Sequence, residues 1–160
     1  MSSIESGGRR RSVTGIKGSL RALRNQLSLL NHQVGARLEL RDGDLDCLEL
    51  VLEHGPLTPS ALARRAGLHP ATVTGILDRL QRGGWVARER DPEGTDRRAV
   101  LVRALKDRSA ELYGLYAGMS TAMDDLLADY DEEQLALLAD FLRRTTEAGR
   151  AATEDLGRQG

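Results

Sequence analysis

Residues 57–105, LTPSALARRAGLHPATVTGILDRLQRGGWVARERDPEGTDRRAVLVRAL, decide how this chain folds. Thr58-Pro59 is a helix start, a capping hydroxyl followed by proline in the first turn. Leu62, Ala63 and Ala66 provide a short packing face, Gly67 ends the helix, and Leu68 is expected to plug the gap to the next one. The second helix opens at Pro70. Val73, Ile76, Leu77 and Leu80 recur at helical spacing and form its buried face. Ala71, Thr72, Thr74, Gly75, Asp78 and Arg79 fall on the other side, and Gly83-Gly84 closes the helix.

Two strand patterns follow. Residues 85–90 (WVARER) alternate, with Trp85 and Ala87 on one face and Val86, Arg88 and Arg90 on the other. Residues 99–103 (AVLVR) are rich in β-branched side chains. A polar tip containing Asp91-Pro92, Glu93-Gly94 and Asp96-Arg97-Arg98 joins them, longer than a two-residue hairpin turn needs. Helix, tight turn, helix and hairpin together make a winged helix-turn-helix, an architecture that lays its second helix in a duplex groove. Small side chains near that helix's N-terminus allow close approach to the groove floor. The helix terminus itself favours phosphate, with Arg79 and Arg82 a turn or two further along. A basic-tipped wing can place an arginine in a narrow minor groove.

The flanks read as long helices. Ile16, Leu20, Leu23, Leu27, Leu30, Val34 and Leu38 form one continuous apolar stripe. Asp42-Gly43-Asp44 breaks that helix and starts another, carried by Leu45, Leu48, Val51 and Leu52 with Glu49 and Glu53 outward, which ends at His54-Gly55-Pro56. Cys47 falls on this helix among Asp44, Asp46 and Glu49, an acidic setting that disfavours a thiolate and marks it as structural. Beyond the wing, Leu112, Leu115, Met119, Ala122 and Leu126 repeat at helical spacing. Asp131 caps a last helix with the stripe Leu135, Leu138, Phe141 and Leu142. One chain supplies too little to seal these stripes, so a second subunit is expected. The expected organisation is a disordered basic arm at 1–14, an N-terminal dimerisation helix at 15–40 and a winged helix-turn-helix lobe at 41–105. C-terminal dimerisation helices at 106–150 and a frayed tail at 151–160 complete it. The fold class is mainly α with a small β-hairpin wing.

Composition narrows the function. The 160 residues are 40% hydrophobic and 29% charged, an ordinary globular balance. No apolar run is long enough for a membrane span, and no apolar segment follows the N-terminal arginines as a secretory signal would. The single cysteine excludes an intrachain disulfide framework and fits a reducing cytoplasm. One Trp, three Tyr and one Phe are too few for the stacking platforms of single-strand and RNA binders, which leaves duplex DNA as the better nucleic-acid partner.

The net charge of −1 conceals segregation. Residues 1–41 carry eight Lys/Arg against two acids, and residues 42–63 carry five acids and no Lys/Arg. Residues 64–105 hold nine arginines against five acids, and the remainder has six basic and twelve acidic residues. A basic lobe beside an acidic tail fits a duplex-facing module joined to one that does not touch DNA. The run Arg9, Arg10, Arg11 can touch phosphates or simply remain solvated.

The stretch at 57–105, with its D-x-R wing sequence Asp96-Arg97-Arg98 and following V-L-V strand, resembles the MarR family of winged helix-turn-helix transcriptional regulators. The resemblance covers roughly residues 16–148. It implies a homodimer built from the first and last helices, with the helix from about Pro70 to Arg82 in the major groove. Arg98 would reach the minor groove, oriented by Asp96. The residues expected at the DNA are Ser60, His69, Pro70, Ala71, Thr72, Thr74, Gly75, Arg79, Asp96, Arg97 and Arg98. The chain departs from the family pattern at His69, where Asp or Ser is common, at Ala71 in place of Ser, and at Gly75 in place of Arg or a polar residue. It also ends the second strand in Ala104-Leu105 rather than Leu-Thr. With fewer side-chain donors at 71 and 75, specificity is expected to lean on the wing, dimer spacing and DNA shape.

The function this resemblance implies is a homodimeric repressor on a pseudo-palindromic operator, released by a small, often phenolic or aromatic, effector. The alternative is a dimeric helical protein-interaction module whose winged domain binds no DNA. No Gly-rich phosphate loop, H-E-x-x-H, C-x-x-C or G-x-S-x-G is present, so no catalytic site and no cofactor are expected. His32, His54 and His69 are not spaced as metal ligands, with or without Cys47, and no metal site is expected.

Overall fold

The computed structural model describes residues 2–91, 93–94 and 99–158. Its elements are α1 (Ser2–Arg37), α2 (Asp42–His54), α3 (Pro59–Ala66), α4 (Pro70–Arg82), β1 (Val86–Arg90), β2 (Val100–Ala104), α5 (Lys106–Leu127) and α6 (Glu132–Arg158). The architecture is the expected one, helical with a two-stranded antiparallel hairpin. The chain divides into two compact units, residues 1–45 and 46–160.

In the first unit α1 runs for 36 residues. It stops at Arg37 through a six-to-one closure in which the Leu40 amide bonds to the Gly35 carbonyl at 2.8 Å. Glu39 takes the left-handed conformation there (φ 56°), the role glycine usually fills. The apolar stripe is covered only near its C-terminal end. Val34 and Leu38 are buried, whereas Ile16, Leu23 and Leu27 remain exposed. The predicted disordered arm is a correction: residues 2–14 are helical and continuous with the rest of α1. Once a long helix is nucleated, each added residue gains a hydrogen bond, so polar residues extend it despite lacking an apolar period.

The second unit holds the core of the lobe. Leu48, Val51, Leu62, Val73, Ile76, Leu77, Leu80, Trp85, Val86, Val102 and Leu112 are all buried. Cys47 is completely buried as well, as its reading as a structural residue requires. α3 starts as expected, with Thr58 Oγ1 accepting from the Ala61 amide at 3.1 Å. It ends at Gly67 in the left-handed conformation (φ 65°), where a side chain would be strained. Leu68 is only half-buried, so it plugs the helix junction incompletely.

The hairpin pairs Val86 with Ala104, Arg88 with Val102 and Arg90 with Val100. Leu57, ahead of α3, adds an isolated bridge to Val102, with amide-to-carbonyl bonds of 3.1 and 2.7 Å in the two directions. The predicted alternation at 85–90 fails at its start, because Trp85 and Val86 are both buried. Trp85 precedes the ladder: its amide bonds back to the Leu80 carbonyl, and Gly84 before it has φ 75°. Its direction is therefore set by the helix exit and not by the pleat. The ring lies so close to Gly83 that a Cβ there would be 2.8 Å from Trp85 Cδ1, which makes glycine a steric requirement.

α6 begins with a reciprocal cap. Asp131 Oδ1 accepts from the Gln134 amide at 2.9 Å, and Gln134 Oε1 accepts from the Asp131 amide at 3.0 Å. The helix continues to Arg158, so the predicted frayed tail is helical through that residue. Intrahelical pairs such as Arg143 with Asp140 and Glu147 support its exposed middle turns. No residue of α6 is buried, and Leu137, Phe141 and Leu142 are exposed. No helix among the described residues is long and apolar enough to cross a membrane.

Candidate nucleic-acid interface

Helix α4 is two-sided, as its sequence predicts. Val73, Ile76, Leu77 and Leu80 are at most 3% exposed. Pro70, Ala71, Thr72, Thr74, Asp78 and Arg82 face solvent, with Gly75 and Arg79 half-buried. His69 precedes the helix and Ser60 is exposed on α3. The structure thus gathers His69, Pro70, Ala71, Thr72, Thr74 and Gly75 around one helix terminus, with Arg79 one turn on. Asp96, Arg97 and Arg98 lie outside the described residues.

The amide groups at the start of α4 are a correction. A helix N-terminus binds anions through its unsatisfied N–H groups, but here the first ones are occupied. Pro70 has none. The Ala71 amide donates to His69 Nδ1 at 3.2 Å, and the Thr72 amide to the His69 carbonyl at 3.0 Å. His69 is therefore a true capping residue, doing with an imidazole nitrogen what Asp or Ser does with oxygen. The acceptor role requires Nδ1 to be unprotonated, which puts the ring proton of neutral His69 on Nε2, leaving that nitrogen a donor. What remains for a phosphate is the helix dipole and that Nε2–H, not a row of free amides.

Thr74 also changes character. Its Oγ1 donates to the Pro70 carbonyl at 3.1 Å, leaving the hydroxyl only acceptor capacity toward a ligand. Gly75 is bare, and a Cβ placed there would lie 3.6 Å from an Arg79 guanidinium nitrogen. That is ordinary contact distance, so an alanine would fit beside Arg79 as it lies along the helix surface.

Two arginines that the sequence reading left without a role organise this surface. Arg88 on β1 donates through Nη2 to Asp78 Oδ1 at 2.6 Å, joining the base of the wing to the exposed face of α4. Its Nε is buried without a hydrogen-bond partner among the described residues. Arg108 in the first turn of α5 donates to the Gly83 carbonyl at 2.6 Å and lies over the Trp85 ring. A cation at the end of α4 also complements the negative pole of that helix. Both contacts join residues ten or more apart across a turn, and no local spacing in the sequence announces them.

The sequence pattern that defines the MarR family matches residues 40–100. An uncharacterized HTH-type transcriptional regulator of Bacillus subtilis, YcgE, is 35% identical over 121 residues, covering 75% of this chain and 77% of its own length. The chain belongs to the MarR family. Another relative, the HTH-type transcriptional repressor YetL of Bacillus subtilis, is 29% identical over 92 residues, covering 55% of this chain and 54% of YetL. Among solved structures, a MarR family protein from Bacillus stearothermophilus superposes with a TM-score of 0.65 at 22% identity, covering 87% of this chain and 96% of that one. The regulator Tm0710 from Thermotoga maritima gives 0.62 at 20% identity, covering 88% and 98%. These place the fold. This MarR-family chain is accordingly a DNA-binding transcriptional regulator of the winged helix-turn-helix type.

Proposed function

We propose that this MarR-family protein is a homodimeric repressor that reads a pseudo-palindromic operator and leaves it when a small effector binds. The observation that carries the reading is the two-sided α4. Four fully packed residues fix its back while small and polar residues face outward. His69, Pro70, Ala71, Thr72, Thr74, Gly75 and Arg79 would meet the major groove, Ser60 a phosphate, and Asp96-Arg97-Arg98 the minor groove.

Dimerisation is supported by apolar surface that each unit leaves uncovered. Ile16, Leu23, Leu27 and Leu29 are exposed on α1, and Leu126, Leu137, Phe141 and Leu142 on α5 and α6. Exposed apolar stripes of this extent mark association surfaces. Two half-sites about one helical turn apart would then match the two-fold symmetry of the dimer. Repression is favoured by the likeness to a relative named as a repressor. An aromatic or phenolic effector would act by binding one separation of the recognition helices better than the other. The reading places the protein in the cytoplasm.

Selection of bound genomic fragments supplies an operator, and Arg98→Ala then tests the wing on it. The expected result is a large loss of affinity with an unchanged circular-dichroism melt. Absence of duplex binding even at low salt would instead favour a protein partner for the winged lobe.

A further inference from the structure

Helix α1 carries a charge pattern that the winged lobe does not explain. Between residues 7 and 38 there are seven basic residues and no acid. At about 100° per residue, Arg10, Lys17, Arg21 and Arg24 fall within about 60° of one another and span about 21 Å of helix. This stripe lies about a quarter to a third of a turn away from the apolar stripe of Ile16, Leu20, Leu23 and Leu27. All four cations are exposed. Among the described residues none has a carboxylate partner: Arg24 reaches only the amide oxygen of Asn25.

The surface beside the stripe is bare. Gly7 and Gly18 flank it and Gly8 and Gly15 lie further round, and a Cβ at any of the four would meet nothing within 4 Å. Each glycine costs a helix interior about 1 kcal/mol relative to alanine, and no packing among the described residues accounts for them. Bare backbone next to evenly spaced cations lets a polyanion come close.

We infer that Arg10, Lys17, Arg21 and Arg24 form a second duplex-contacting surface, a stripe on α1 that adds sequence-independent phosphate contacts to those of the winged lobe. The inference rests on duplex binding by that lobe. A duplex presents one charge per about 1.7 Å of axis, a near-continuous line that such a stripe can follow. A lipid surface fits worse, because α1 has no aromatic residue and Val13 is the only large apolar residue between Gly7 and Gly15. The acidic face of α6 from a second copy also fits worse. Asp140 and Glu147 already pair with Arg143 on their own helix at 2.6 and 2.8 Å.

The test measures the salt dependence of binding of the full chain to a fluorescent duplex of arbitrary sequence. The variants replace all four cations, either by glutamine (R10Q, K17Q, R21Q, R24Q) or with charge kept (R10K, K17R, R21K, R24K). Glutamine is a good helix former, so helicity by circular dichroism should persist. The expected outcome is a log–log salt slope shallower by about three to four units per protomer in the glutamine variant. The charge-keeping variant should match the wild type. An unchanged slope overturns the inference, as does a change confined to the sedimentation mass or to capture by anionic phospholipid vesicles. If glutamine unfolds the helix, the glutamine variant is measured again with G15A and G18A added to restore helicity; a flattened slope in that helical variant supports the stripe, and a wild-type slope overturns it. Wild-type protein that binds no duplex at low salt marks failure of the underlying DNA reading instead.

Discussion

The Arg108 guanidinium carbon lies 4.1 Å from the centre of the Trp85 ring, and the same group donates to the Gly83 carbonyl at 2.6 Å. One side chain thus fastens the first turn of α5 to the exit of α4 and the start of the wing. Arg108→Ala removes a cation–π contact and a charged hydrogen bond. With the side chain 38% exposed, solvent screening reduces their worth to about 1–2 kcal/mol of stability. Trp85 is the only tryptophan and is 1% exposed, so its fluorescence reports the site directly. Urea titration followed by that emission should show the loss, with Arg108→Lys recovering only part because a lysine cannot stack and donate at once. An Ala variant as stable as wild type would make the contact incidental.

His69 invites a trade between stability and binding. An aspartate is a stronger cap and complements the positive helix pole, so His69→Asp should raise stability by about 0.5–1 kcal/mol. It also sets a negative charge where a DNA phosphate is expected, so duplex affinity should fall at least several-fold. Denaturation and anisotropy measured on the same sample check both signs. Tighter binding in the Asp variant would move the DNA contact away from the start of α4.

The Asp78–Arg88 pair should couple the wing to α4. Both groups are partly exposed, Arg88 at 29% and Asp78 at 51%, so a double-mutant cycle with Asp78→Asn and Arg88→Met should give a coupling of about 1 kcal/mol. Arg88→Met alone leaves an unpaired carboxylate on the exposed face of α4, proposed to meet DNA, and should weaken duplex binding. Adding Asp78→Asn should restore part of that loss. Additive single effects would show that the two side chains act independently.

Tyr116 on α5 donates to Glu49 Oε1 on α2 at 3.0 Å. Burial raises the Glu49 carboxyl above the ordinary carboxylate value; the Tyr116 hydrogen bond opposes this, while Asp46 and Glu53 add to it. The folded state therefore holds this proton more tightly than the unfolded state. Stability from Glu49 is fully present below the ordinary carboxylate value and is lost as the pH rises through the raised one. Glu49→Gln keeps an oxygen for Tyr116 and removes the titration. Thermal melts from mildly acidic to neutral pH should flatten in the variant, which should be the more stable protein at neutral pH. Tyr116 is itself raised above the ordinary tyrosine value, chiefly by burial and then by Glu49, so its phenol should persist into strongly alkaline solution. A parallel pH profile in wild type and variant would exclude Glu49 as a source of the dependence.

The lobe was legible because its signals are local. Thr58-Pro59, Gly67 and the Val73, Ile76, Leu77, Leu80 period each act within one or two turns, and each reappears in the structure. The helix at 2–14 is invisible to periodicity because periodicity measures burial, and a solvated helix extended from a stable neighbour needs no apolar period. The alternation at 85–90 fails at its start because alternation presumes a strand, and Trp85 precedes one. Arg88 and Arg108 were invisible as organising residues because their partners depend on how α4 turns into the wing. At the start of α4 the sequence showed which residues gather but not which donors they leave over, since that depends on whether His69 or water satisfies the Ala71 amide.

A two-stranded hairpin normally offers its outer backbone to any extended segment that drifts past, and such pairing is how soluble proteins begin to clump. Here Leu57 occupies the outer side of β2 at Val102 with reciprocal bonds. On the opposite flank β1 devotes three of its five residues, Arg88, Glu89 and Arg90, to charge. Together they leave little uninterrupted template for strand addition. An exposed wing protected in this way can be carried without inviting one copy of the chain to pair with another.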